Sequence, residues 1–209
     1  MPPWDPAVRS AEPTSALPAA VGIVLAAGAG ARAGGPKALR RTPDGVAWLG
    51  LAAHALLDGG CREVVAVLGA SAADALPLVP PHPAVRAVVA ADWAAGVSAS
   101  LRAGLVAAAE TEAAVAVVSL VDLPGLPSAA VARLLAPPSS GSGAAHPAGI
   151  LRRAVYGSRP GHPVVLGRDW WPALAHDTHG DRGAGAFLSR HGAEAVECGD
   201  LWHGEDVDR

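Results

Sequence analysis

The chain has 209 residues, 51% of them hydrophobic and 17% charged, with a formal net charge of −3. That composition excludes a disordered chain, and a slightly acidic balance without any Lys/Arg block argues against nucleic acid as a partner. No apolar run reaches the roughly 18 residues of a transmembrane helix, so no membrane partner is expected. Two cysteines, Cys61 and Cys198, are too few for a disulfide scaffold and fit a reducing, cytoplasmic setting.

Residues 1–18 are rich in Pro and lack a basic start followed by an apolar core, so they read as a flexible leader rather than a signal peptide. Residues 19–209 read as one domain. Val21–Ala27, Glu63–Ala70 and Ala113–Val121 are nearly unbroken apolar runs, the pattern of strands buried on both faces. Val85–Ala91 is a weaker fourth. Between them, Ala47–Leu57, Val97–Glu110 and Ser128–Leu135 carry helical spacing, with Ser128 a candidate N-cap. The Pro/Ser/Gly-rich stretch Ala136–Pro147 predicts a loop. Gly149–Tyr156 and Pro163–Leu166 predict two strands around a turn at Gly157–Gly161. Arg182–His191 predicts a helix and Ala193–Cys198 a short last strand. The alternation predicts a single three-layer α/β/α Rossmann-like sandwich, its sheet mostly parallel with an antiparallel addition.

Gly28–Lys37, GAGARAGGPK, directly follows the first strand. Its four glycines permit positive φ and close approach of backbone to a ligand, and such backbone amides cradle phosphate oxygens. Arg32 and Lys37 add fixed charge. Lys37 is the only lysine beside fifteen arginines, in a chain with 48 alanines. The segment is not a Walker A loop, because Pro36 separates Gly35 from Lys37 and Ala38 follows. As a dinucleotide fingerprint it begins well at Gly28-Ala29-Gly30, but the third glycine is displaced to Gly34 and no acid closes the second strand. An NAD(P)-dependent oxidoreductase therefore remains only an alternative.

Leu25–Leu39, LAAGAGARAGGPKAL, resembles the LAAGxGxRxGxPKxL signature of nucleotidyltransferases with a MobA-like fold. Asp92–Leu105 (DWAAGVSASLRAGL), Leu120–Pro124 (LVDLP), Arg159–Leu166 (RPGHPVVL) and Gly180–Ala184 (GDRGA) resemble segments of the molybdenum cofactor cytidylyltransferases, in the same order. The resemblance implies magnesium-dependent transfer of a nucleoside monophosphate, CMP from CTP above all, to a phosphorylated acceptor such as molybdopterin cofactor, with release of pyrophosphate. The leading Leu25-Ala26-Ala27-Gly28 matches the cytidylyl rather than the guanylyl members. Related members use other donors and sugar phosphates or other phosphorylated metabolites.

By the same resemblance Arg32, Lys37 and Asp122 are the catalytic residues. Leu25, Ala26, Ala27, Gly28, Gly30, Lys37, Gly69, Ser98 and Ser100 hold the nucleotide. His162, Asp181 and Gly183 face the acceptor. Asp122, Asp206 and Asp208 bind the metal, the last two matching the aspartates of a terminal DxDTPED motif in which Arg209 takes the place of Thr. Structural readings stand beside these. Asp122 also suits a turn before Pro124, Ser98 and Ser100 suit helix caps, and Arg102 suits either a surface charge or a phosphate contact. A nucleotide-binding protein without turnover is the further alternative.

Overall fold

The structure is a computed structural model that describes residues 19–30, 34–137 and 146–207. Among the described residues seven strands form one sheet: β1 (Ala20–Ala26), β2 (Glu63–Leu68), β3 (Val85–Val89), β4 (Val115–Leu120), β5 (Leu151–Tyr156), β6 (Arg159–Gly167) and β7 (Glu194–Glu197). Their order is β3-β2-β1-β4-β6-β5-β7. The first four run parallel, β6 is antiparallel to both β4 and β5, and β7 pairs parallel with β5. The expected mostly parallel sheet with an antiparallel addition is what forms.

Among the described residues six α-helices flank it: α1 (Trp48–Asp58), α2 (Ala72–Ala75), α3 (Val97–Ala109), α4 (Ser128–Leu135), α5 (Trp171–Asp177) and α6 (Gly185–Arg190). Strand residues alternate between two cores because successive side chains leave a strand on opposite faces. Val24, Val64, Val115 and Val117 pack with Leu49, Leu56, Val131 and Leu134 of α1 and α4 on one side. Val21, Ile23, Val118 and Val164 pack with Leu101, Leu105, Leu174 and Leu188 of α3, α5 and α6 on the other. Both faces of β1, β2 and β4 are buried, which is why these strands read as continuous apolar runs.

Local chemistry shifts several expected boundaries. Pro127, not Ser128, occupies the N-cap of α4, and Ser128 is the first helical residue. The β5–β6 turn shrinks to Gly157-Ser158, because β6 begins at Arg159. The helix expected over Arg182–His191 forms only at Gly185–Arg190. Helix α5 was not legible, since Pro172 reads as a breaker; it lies in the first turn, where its missing N–H loses nothing. The leader and most of the Ala136–Pro147 loop lie outside the described residues.

Candidate active site

In an open α/β sheet, ligands gather beyond the carboxyl ends of strands where the chain order reverses. Here that point lies between β1 and β4. Leu25 sits opposite Leu120, and the Val121 N–H donates to the Leu25 carbonyl at 3.1 Å, so the loop after β1 and the loop after β4 emerge side by side.

The loop after β1 is closed by a hydrogen bond from the Gly35 N–H to the Gly30 carbonyl at 3.1 Å. Gly30 has φ +63°, and a Cβ there would overlap the Gly35 carbonyl oxygen, so only glycine fits this closure. A short 3-10 turn, Lys37–Leu39, follows Pro36 and aims Lys37 back at β4. Its Nζ lies 2.8 Å from Asp122 Oδ2, with both side chains largely buried. The other oxygen, Asp122 Oδ1, is buried with no partner among the described residues. Buried carboxylate oxygens are rarely left this way, and an orphan marks a place where a ligand or ion completes the set.

The end of the chain returns to the same spot. Trp202 meets Tyr156 edge-to-face at 5.7 Å, Arg159 donates to the His203 carbonyl at 3.2 Å, and the Val207 N–H donates to the Asp122 carbonyl at 2.9 Å. This docking brings Asp206, which precedes Val207 and is exposed, to the Asp122 loop. Among the described residues no cluster of three or more metal-ligating side chains forms. Asp208 and Arg32 lie outside the described residues.

Two cavities meet at this end. The larger, about 450 Å³, is lined by Leu25, Ala26, Ala27, Gly28, Gly30, Lys37, Ser100 and Asp122 of the expected set. Asp181, expected on the acceptor side, lines this cleft too, together with Trp93 and Gly96. Gly69 stands behind its wall: a Cβ there would strike Ala27 and Trp93. Ser98 is fully buried, its hydroxyl has no partner among the described residues, and its backbone N–H is held by the Gly180 carbonyl at 3.1 Å. Neither it nor Ser100 caps α3, whose N-cap is Gly96. Arg102 reaches the Thr178 carbonyl at 2.9 Å and Asp92 at 3.8 Å.

The smaller cavity, about 260 Å³, holds His162 and Gly183 from the expected acceptor residues. Leu25, Val97 and Leu120 border both cavities, so the two adjoin. His162 sits at the β6 end nearest Asp122. Burial pushes its imidazole below the ordinary value of 6.5, and the Asp122 charge only partly offsets this. Its carbonyl accepts the Tyr156 hydroxyl at 2.6 Å. Arg153 also lines this cavity. Sequence reasoning did not single it out, because only the β5–β6 register distinguishes it from neighbouring Arg152, which is buried against Glu194 at 2.7 Å.

A glycine loop closed on itself, a lysine–aspartate pair across two parallel strands and a paired cavity define a nucleotidyltransferase-type enzyme. The chain belongs to the MobA-like NTP transferase domain family, whose model matches residues 22–196. It is 41% identical over 202 residues to nicotine blue oxidoreductase of Paenarthrobacter nicotinovorans, covering 92% of this chain and 93% of that protein. Rv0371c of Mycobacterium tuberculosis superposes with a TM-score of 0.69 at 29% identity over 92% of this chain and 94% of its own. The same protein has also been solved in complex with manganese; that structure has a TM-score of 0.65 at 28% identity, over 86% of this chain and 88% of its own. A nucleotidyl transferase from Methanothermobacter shares the fold, with a TM-score of 0.72 at 19% identity over 91% of this chain and 92% of its own. Nucleotidyltransferases of this kind use a divalent cation.

Proposed function

We propose that the protein transfers CMP from CTP to a phosphorylated acceptor, with magnesium as the cation. The observation that carries the reading is the Lys37–Asp122 pair at the mouth of the Gly28–Lys37 loop, with Asp122 Oδ1 left unpartnered. The loop amides and Lys37 would hold the triphosphate, and Lys37 exchanges its carboxylate for phosphate oxygens as the nucleotide enters. Arg32 belongs to the same grip by its place in the signature. Asp122, with Asp206 of the docked segment and Asp208 by its place in the terminal motif, would hold the cation, which neutralises phosphate charge when bound. An acceptor phosphate oxygen bonds to the α-phosphorus while the bond to the α–β bridging oxygen breaks, its electron pair leaving on pyrophosphate. The protein supplies alignment and charge rather than covalent chemistry. His162 and Gly183 border the acceptor, and Asp181 stands on the nucleotide side of it. The molybdopterin-type acceptor rests on the sequence resemblance.

A second reading uses the same cleft for a nicotinamide nucleotide, and the 41% identity to a protein named as an oxidoreductase favours it. One experiment separates the two. Thermal stability is measured against CTP, GTP, ATP, UTP and NADPH, each with and without magnesium. A ligand bound only by the folded state raises stability by mass action. A magnesium-dependent rise, largest for CTP and lost in Lys37→Ala, supports cytidylyl transfer. A rise with NADPH alone supports the oxidoreductase.

A further inference from the structure

Tyr156, the last residue of β5, faces two ways. Its hydroxyl donates to the His162 carbonyl at 2.6 Å, while its buried ring is a seat for the end of the chain. Trp202 meets the ring edge-on, and Gly204 lies so close, with φ +73°, that a Cβ there would overlap it. Only glycine combines that left-handed backbone with that approach. From this seat residues 202–207 run as a strap to the loop after β4. Gly125 of that loop faces the Trp202 indole, where a Cβ would come within 3.2 Å of Nε1, and the Val207 N–H donates to the Asp122 carbonyl at 2.9 Å.

The strap is lightly attached. His203, Glu205, Asp206 and Val207 are exposed, and Arg159, exposed as well, reaches the His203 carbonyl at 3.2 Å and Glu205 at 3.5 Å. Segments with so little burial open locally at a fraction of the global unfolding free energy. Yet this one ends on the residue whose side chain lies 2.8 Å from Lys37. The Val207 hydrogen bond fixes the Asp122 carbonyl and with it the direction of that peptide. A shift of about 1 Å in a group that positions reactants can cost about a hundredfold in rate. On the transferase reading Lys37 leaves Asp122 for phosphate oxygens, and the strap then keeps its hold on the Asp122 backbone.

We propose that the strap is coupled to the nucleotide: its docking on Tyr156 and the binding of CTP strengthen each other, with Tyr156 and Gly204 as positioning residues that act through Asp122. This rests on the reading of the protein as a nucleotidyltransferase. Coupling between two binding equilibria is reciprocal, so a docked strap that raises CTP affinity by some factor must itself be stabilised by CTP by the same factor. A strap that only fills space shows no such dependence.

The test uses the full chain and CTP with magnesium, without acceptor. Hydrogen exchange at the Val207 amide reads docking, and calorimetry reads affinity. In the parent protein CTP should slow Val207 exchange by about tenfold. Gly204→Ala should leave this amide exchanging fast with or without CTP, and should weaken CTP binding by the same factor. Arg159→Gln, which loosens the strap without crowding the ring, should show a smaller loss of both, and it decides the matter if Gly204→Ala does not fold. Tyr156→Phe keeps the ring and should keep the coupling. A cooperative unfolding transition shows that each variant is folded. CTP binding by the parent with no change at Val207 overturns the proposal alone, as do folded strap variants that bind CTP like the parent. No CTP binding by the parent overturns the transferase reading, and the proposal falls with it.

Discussion

The two halves of the sheet recognise their surroundings by different means. The parallel half, β3-β2-β1-β4, presents backbone: a glycine loop closed by its own hydrogen bond, with a single lysine and aspartate brought together across adjacent strands. The half built on β6-β5-β7 works through side chains, and most of them are arginines. Arg152 binds Glu194 and the Leu134 and Ala136 carbonyls. Arg168 caps the carbonyls of Ala109, Thr111 and Ala113, and Arg133 is bidentate to Asp200. A planar guanidinium with several donors suits the clamping of carbonyls at fixed angles, whereas an ammonium on a flexible stem suits an exchange of partners. On the proposed reading the lone lysine stands where a charge is handed over, while the arginines stand where geometry is held.

Substitutions in each half test this division. The largest effect is expected from Asp122→Asn in the parallel half, which should lower turnover on the order of a hundredfold to a thousandfold, as measured by pyrophosphate release. Its melting temperature should fall, because the substitution takes the carboxylate partner from the largely buried Lys37 ammonium. Unchanged turnover would remove Asp122 from the chemistry. In the other half, Arg152→Met should cost about 2 kcal/mol of stability, read by urea denaturation, chiefly through two orphaned carbonyls, since the Glu194 partner is half exposed. Nucleotide affinity in the folded protein should stay unchanged, and a parallel loss of affinity would mean that the halves are not separable. Lys37→Met should weaken CTP binding by about tenfold to a hundredfold, read by calorimetry.

The smallest expected effect is a pH dependence from His162. Its folded value lies below 6.5, so between the two values the unfolded chain binds more protons and stability falls as pH drops. The contribution is fully present above 6.5 and lost on descent through the folded value. His162→Gln should flatten the stability profile across that acid window. An identical profile in both proteins would place the sensitivity elsewhere.

Much of the first half was legible in the chain itself. The apolar runs that became β1, β2 and β4 are continuous because both faces are covered, and that pattern needs no tertiary knowledge to read. The loop was legible for a related reason. Closing the loop on itself demands glycine at Gly30, so that residue and the following Pro36-Lys37 leave a one-dimensional trace. The second half left less. The helix α5 carries Pro172 in its first turn, and the β5–β6 turn is shorter than the glycines at 157 and 161 suggest.

What the sequence alone determined was the mostly parallel sheet with its antiparallel addition, the order of motifs and the residue types proposed to meet a nucleotide. Tertiary structure decided which residues share a space. It set Lys37 against Asp122, 85 positions away, by pairing β1 with β4 in one register. It placed Asp181 on the nucleotide cleft rather than beside His162, and it turned Arg153, not Arg152, into the smaller cavity. Alternation along a strand sends neighbours to opposite faces, so that choice depends on strand register and on the helices packed above it, and no local pattern encodes either.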